Sequence, residues 1–185
     1  IEAIVGPMYA GKTEELIRRI TRVDIAGQEL VVFKPRVDDR YKKDKVVSHN
    51  GNEIESHTIS DAIEIENLVF NSKKKYDVVA IDEIQFIDEN FITDIIDNLA
   101  NSGIRVIVTG LDMDFRGEPF GIMPDIIAMA EKIDKLTAIC NKCGKPATRT
   151  QRLIDGKPAN KDDPTILVGS KEKYEARCRK CHEVN

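Results

Sequence analysis

Apolar residues in this chain switch between two spacings, and the switches mark out its elements. Ile1-Glu-Ala-Ile-Val5 reads as a strand, whereas residues 12–26 set Leu16, Ile20 and Val23 at steps of four and three, the stripe of a helix buried along one face. Gly27 is placed to end that helix, and the unbroken apolar run Leu30-Val-Val-Phe33 predicts a short buried strand. Residues 61–70 predict a second helix, and Asp77-Val-Val-Ala-Ile81 a buried strand that ends in Asp82-Glu83. Phe91, Ile92, Ile95, Ile96 and Leu99 recur at helical spacing within residues 89–101, closed by Gly103, and residues 104–109 predict another apolar strand. A helix over 124–132 and a strand over 133–139 follow. Strands alternating with helices predict an α/β domain built on a mainly parallel sheet flanked by helices. Residues 34–55 are polar and rich in Asp, Lys, Arg and Asn, and predict a long exposed loop of the functional kind. No internal repeat or low-complexity tract interrupts the pattern.

After residue 139 the pattern changes to short strands and turns punctuated by Gly144, Pro146, Gly156, Pro158, Pro164 and Gly169. We therefore expect two parts: a nucleotide-binding α/β domain over residues 1–139 and a small lobe over 140–185. That lobe holds all the cysteines of the chain, Cys140, Cys143, Cys178 and Cys181, as two C-x-x-C pairs. Four thiolates at this spacing suit a tetrahedral structural Zn²⁺, which offsets the lack of an apolar core in so small a unit. A redox dithiol and two accidental pairs are the alternatives. His182 adjoins the last cysteine, but four thiolates already complete the set, so it is expected to be a bystander.

Between the first strand and the first helix lies Gly6-Pro-Met-Tyr-Ala-Gly-Lys-Thr13, which fits G-x-x-x-x-G-K-[ST] at every fixed position. The glycines let the backbone of Gly6, Pro7, Met8, Tyr9, Ala10 and Gly11 curl until successive N–H groups point inward at phosphate oxygens. The helix start adds its positive dipole end, Lys12 a point charge at the outer phosphates, and Thr13 a hydroxyl for Mg²⁺. A chance glycine-rich turn is the alternative, and the strand-loop-helix context weighs against it. Asp82, at the end of an apolar strand, is the usual partner of such a loop and would hold Mg²⁺ opposite Thr13. Glu83 beside it is placed either to take a proton from an attacking hydroxyl or to act as a solvated support. Gln85 can orient the phosphates or the nucleophile, or be a surface residue.

At 185 residues the chain can bury one good core with a small appendage. Its net charge of −4 argues against broad electrostatic binding of nucleic acid. No apolar run is long enough to span a bilayer and no secretory signal pattern is present, so a cytoplasmic location without membrane attachment is expected. Ile1 already belongs to the first strand, and native residues are expected to precede it. The residues alone define a nucleoside triphosphate user without naming its acceptor. Asn141-Lys-Cys-Gly144 lacks the aspartate of a guanine-reading N-K-x-D motif. A DNA-dependent ATPase would show turnover stimulated by DNA, and a nucleotide-sensing zinc module would bind ATP without turnover.

Further motifs occur in a fixed order: Asp38-Asp-Arg-Tyr41, Ile81-Asp-Glu-Ile-Gln-Phe86, Leu111-Asp-Met-Asp-Phe115, Pro119-Phe-Gly121, Leu136-Thr-Ala-Ile-Cys140 and Lys173-Tyr174. With the phosphate loop and the cysteine pairs, this order resembles the type II thymidine kinases, the zinc-containing kind of many bacteria and animal cytosol, from end to end. The resemblance implies transfer of the γ-phosphoryl group of ATP to the 5′-hydroxyl of thymidine, on a RecA-like phosphate-loop core with a small zinc lobe. It implies that Glu83 is the base and that Lys12 serves the phosphates. Asp38, Asp39 and Arg40 match a segment beside them. It places Phe115 against the base, Met8, Leu111 and Thr150 near the thymine methyl, and Phe86 and Phe120 in the same pocket, where the residues alone read as ordinary core. It implies a lasso loop over residues 152–173 in which Thr165, Ile166, Leu167, Val168 and Gly169 meet thymine through their backbone, closed by Tyr174. Thr165-Ile-Leu-Val-Gly169 is less valine-rich than the animal pattern and is followed by Ser170. A homotetramer and feedback inhibition by thymidine triphosphate are also implied. Because the zinc lobe holds the lasso while the phosphate loop lies in the other part, loss of metal is expected to harm thymidine binding more than ATP binding.

Overall fold

The computed structural model describes residues 1–36, 45–47, 53–87, 90–166 and 172–185. Six strands form one parallel sheet in the order β5-β2-β6-β7-β1-β8. They are β1 (Glu2–Val5), β2 (Leu30–Pro35), β5 (His57–Ile59), β6 (Val78–Ile81), β7 (Arg105–Gly110) and β8 (Lys132–Lys135). A short hairpin of β3 (Lys45–Val47) and β4 (Glu53–Glu55) lies between β2 and β5. The helices are α1 (Lys12–Ile25), α2 (Ile63–Phe70), α3 (Ile92–Asn101) and α4 (Met123–Met129).

Side chains alternate across a strand, and the core divides accordingly. Ile4, Val32, Ala80 and Ile107 pack against Leu16, Ile20 and Val23 of α1. Ala3, Val5, Val31, Phe33, Val79, Ile81, Val106 and Val108 point the other way, into a larger cluster with Ile65 of α2, Ile96 and Leu99 of α3, and Met123 and Ile126 of α4. Both faces are covered, which explains why these strands read as continuous apolar runs. The strand order sets the carboxyl ends of β6, β7 and β1 side by side, so the loops that follow them share one edge of the sheet.

The small lobe is antiparallel throughout. β9 (Ala138–Ile139) pairs with β10 (Pro146–Ala147), and β11 (Arg149–Ile154) is flanked by β12 (Lys157–Pro158) and β13 (Glu172–Arg177). The single strand predicted over 133–139 is two strands. The Leu136 amide still donates to Val5 O at 2.8 Å, but beyond it the partner strand β1 has ended and the chain turns into the lobe. The predicted loop over 34–55 holds the end of β2 and the β3–β4 hairpin, whose strands the polar composition concealed. Among the described residues, no helix is long and apolar enough to cross a membrane.

Candidate active site and metal centre

The phosphate loop leaves β1 through Gly6 and enters α1 through Gly11. A Cβ on Gly6 would lie 2.5 Å from Leu136 O, and its φ of +147° belongs to glycine. Gly11, at φ +82°, is the N-cap of α1 and provides no side-chain cap, so the first helical amides remain available to an anion. Lys12 is buried, and its Nζ donates to Pro7 O at 2.9 Å, which holds the ammonium over its own loop. Burial pushes the lysine pKa down, opposed chiefly by the carboxylates of Glu83, Asp82 and Asp112. Thr13 stands in the first turn of α1.

The acidic pair follows β6. Asp82 is buried and accepts a short hydrogen bond from Thr109 Oγ1 on the neighbouring β7. The same Thr109 oxygen accepts the Glu83 amide at 3.3 Å, so one fully buried hydroxyl fixes both acids. Glu83 sits at φ +53°, a left-handed conformation unusual for a side-chain-bearing residue and often found at functional sites. Gln85 braces it: Nε2 donates to Glu83 Oε2 at 2.6 Å, and Oε1 accepts the Leu111 amide at 3.1 Å. Burial, and then the nearby Glu83, push the Asp82 pKa up to about 6 against the opposing pull of Thr109 and Lys12. Asp112 is also buried; its Oδ2 lies 2.8 Å from Lys135 Nζ, while Oδ1 has no hydrogen-bond partner. Two buried carboxylates that both act on Lys12, Asp82 and Asp112, the second with an unsatisfied oxygen, fit a hard cation at this edge.

Next to this edge is a cavity of about 510 Å³ lined by Gln85, Phe86, Phe120, Thr165 and Ile166, among others, a volume suited to a small organic ligand. Phe86 and Phe120 meet edge-to-face, 5.6 Å between centroids. Leu111 and Phe115 are buried, and the Phe115 ring lies under the guanidinium groups of Arg152 (4.0 Å) and Arg116 (4.5 Å). Met8 and Thr150 adjoin, the Met8 amide donating to Thr150 Oγ1 at 3.0 Å, and Tyr9 Oη donates to Tyr174 O at 3.1 Å. Asp38, Asp39, Arg40, Leu167, Val168 and Gly169 lie outside the described residues. A larger cavity, about 830 Å³, lies near Gln28, Glu29 and Tyr76 and shares no residue with the phosphate loop or the acidic pair, so we assign no chemistry to it.

The four cysteines converge. Cys140 follows β9, Cys143 sits in the next turn, and Cys178 and Cys181 follow β13; all four sulfurs lie within 4.8 Å of one another. Tetrahedral Zn–S bonds of about 2.3 Å place sulfurs about 3.8 Å apart, and Cys143 Sγ lies 3.6 Å from Cys178 Sγ. Loss of solvent raises the Cys140 pKa, but the amides of Cys178, Lys142 and Cys143 and the Cys143 thiol outweigh it and bring it down to about 6. Hydrogen bonding to Cys143 and Cys178 drives Cys181 up to about 12. Sulfurs that share protons in this way are the donor set a zinc ion replaces protons on. His182 Nε2 is paired with Phe115 O at 2.8 Å, so the ring is engaged in packing rather than with the sulfurs.

Two features lay beyond sequence reasoning. Thr109, Arg116 and Arg152 organise the site without belonging to any motif. The phosphate loop also leans on the small lobe, through Met8 and Thr150, Tyr9 and Tyr174, and Ala10, which packs against the cluster holding Cys140, Cys178 and Cys181. These contacts tie the phosphate loop to the lobe and bear on the expectation that loss of metal harms thymidine binding more than ATP binding.

A phosphate loop opening a parallel sheet, with acids at the end of the strand one removed from it, defines the class of P-loop nucleotide-binding α/β proteins, here with a four-cysteine lobe. Within that class, the thymidine kinase family model matches residues 1–182, nearly the full length. The chain belongs to the thymidine kinase family, in accord with its resemblance to the zinc-containing type II enzymes, and its function is the phosphorylation of thymidine.

Proposed function

We propose that the phosphoryl donor is ATP, and that Glu83 takes the proton of the thymidine 5′-hydroxyl as the γ-phosphoryl group moves to it. The observation that supports this best is the convergence of Lys12, Asp82 and Glu83. The loops after β1 and β6, the two strands that flank β7, bring one cation and two acids together, and Lys12 feels Glu83 most strongly among nearby charges. The phosphate-loop amides bind and orient the triphosphate, and Lys12 follows the charge that develops on the transferred group. Thr13 and Asp82 would hold Mg²⁺, which when bound neutralises phosphate charge. Gln85 holds Glu83 in one orientation, so the base is in place before the hydroxyl arrives. The nucleoside occupies the cavity lined by Phe86 and Phe120, with Thr165 and Ile166 forming part of its wall. Residues 1–139 act as the nucleotide-binding part and 140–185 as the zinc-holding part. A cytoplasmic homotetramer inhibited by thymidine triphosphate completes the reading; light scattering and inhibition kinetics test those two points.

Labelled-phosphate transfer from ATP across the four deoxynucleosides and uridine tests the reaction, with thymidine as the expected acceptor. Glu83→Gln keeps the shape and the contact with Gln85 but cannot take a proton. Turnover is expected to fall about 10²–10⁴-fold with ATP affinity little changed. The loose transition state of phosphoryl transfer favours the lower end. Weaker ATP binding with an unchanged maximal rate would instead make Glu83 part of the metal shell.

A further inference from the structure

The turn after β7 carries a residue outside every motif that sits at the centre of the nucleoside side. Asp114 folds this turn: its Oδ1 accepts the amides of Arg116 (2.8 Å) and Glu118 (3.1 Å), and Gly117 N donates to Asp114 O at 3.0 Å. Asp114 Oδ2 then fixes the Arg116 guanidinium at 2.6 Å. From there Arg116 reaches across to the other part of the chain. Nε donates to Lys161 O at 2.7 Å, Nη2 to Asp163 O at 2.5 Å, and Nη1 to Thr165 Oγ1 at 2.8 Å. One flat cation thus satisfies three oxygens on five consecutive residues and lies over Phe115 as it does so. Arg152, fully buried against the same ring, adds a bond from Nη1 to Pro164 O at 2.7 Å.

We propose that Arg116 is a positioning residue for the nucleoside: its guanidinium latches residues 161–165 to the turn after β7 and so sets the wall that Thr165 and Ile166 give the cavity. The segment lies between β12 and β13, outside any ladder. Apart from Arg116 it is held by Arg152 at Pro164 O, by the Lys161 amide donating to Asn185 O at 2.8 Å, and by local bonds such as Asn160 N to Asp163 Oδ2 at 2.8 Å. Arg116 joins it to the turn after β7 at three points, and a wall that loses them does not keep the one shape needed to select a base. Lysine does not replace this function, because a single ammonium cannot span acceptors laid out for a planar fork. This inference rests on the thymidine kinase reading of the same cavity.

The test is Arg116→Ala in the full-length, metal-loaded chain. Loss of several charge-assisted hydrogen bonds is expected to raise the KM for thymidine by at least about tenfold. kcat, the KM for ATP and zinc content should stay close to those of the parent, and tryptic cleavage between Lys161 and Lys173 should quicken. Added ethylguanidinium should recover part of the thymidine affinity, and Arg116→Lys should not. Thr165→Val removes one acceptor; its smaller rise in KM should be non-additive with Arg116→Ala. If Arg116→Ala does not fold, Thr165→Val must by itself raise the KM and quicken cleavage. An unchanged KM for thymidine overturns the proposal. So does a raised KM with undiminished resistance to trypsin, which would make Arg116 a direct substrate contact. Failure of the parent chain to phosphorylate thymidine would strike the functional reading instead, and the cleavage comparison would still report on the latch.

Discussion

Asp82 is a carboxylate held where a carboxylate is least comfortable: buried, beside Glu83, with Thr109 and Lys12 as partial compensation. Its ordinary value of 3.8 rises to about 6 in the folded chain. Between those values the folded state keeps a proton that the unfolded state has released. The stability tied to that proton is therefore full below 3.8 and lost as the pH rises through about 6. Asp82→Asn retains the acceptor for Thr109 and removes the charge. In nucleotide-free protein it is expected to melt above the parent at neutral pH, with the gap closing as the pH approaches 3.8. Phosphoryl transfer should be lost at the same time, as is usual where a site is maintained against stability. Thermal denaturation of both proteins across that range measures the gap, and equal melting at neutral pH would contradict the assignment. The acid itself was legible in the sequence as the end of an apolar strand. Its restraint by Thr109 was not, because that hydroxyl lies 27 residues away on a strand whose neighbour only the fold reveals.

The inner strands β1, β2, β6 and β7 were readable because both faces of the sheet are packed there, so each is an apolar run. Reading failed where an element depends on a partner rather than on its own pattern: the edge strand β5, the break after β8, and the β3–β4 hairpin in a polar segment. The end of β7 shows the same limit on a finer level. Gly110 has ordinary backbone torsions, yet a Cβ there would lie 2.7 Å from Gln85 Oε1 and 2.8 Å from Met123 Sδ. The glycine is what allows Gln85 to lie across the strand end and hold Glu83. Gly110→Ala should displace the flexible glutamine and lower turnover, by less than Glu83→Gln does, with ATP affinity preserved. Gln85→Ala should reproduce that loss, and the double variant should lose little more, since both act on one contact. Additive losses in steady-state kinetics would separate the two residues and refute the brace.

The cysteine cluster links the two ligand sites through packing. Cys140 and Cys143 precede the segment proposed to cover the nucleoside, Cys178 and Cys181 follow it, and a metal joining them closes a long loop with little core of its own. The family resemblance implied that this clamp serves thymidine, with ATP binding at the phosphate loop suffering less from its loss. The structure places Ala10 of that loop against the cysteine cluster, Met8 on Thr150 of β11, and Tyr9 on Tyr174 of β13. Tyr9 holds a left-handed φ of +65°, a conformation that persists when surrounding contacts fix it. A loosened lobe should therefore release the phosphate loop as well as the nucleoside cover. Cys143→Ser is expected to lower zinc content, quicken proteolysis between residues 152 and 173, and weaken thymidine and ATP binding together. Isothermal titration of each ligand against parent and variant, with metal analysis of both, checks this. Metal-depleted protein that binds ATP as tightly as the parent while losing thymidine would show that the contacts of Met8, Tyr9 and Ala10 carry no coupling. It would restore the simpler division between the two parts of the chain.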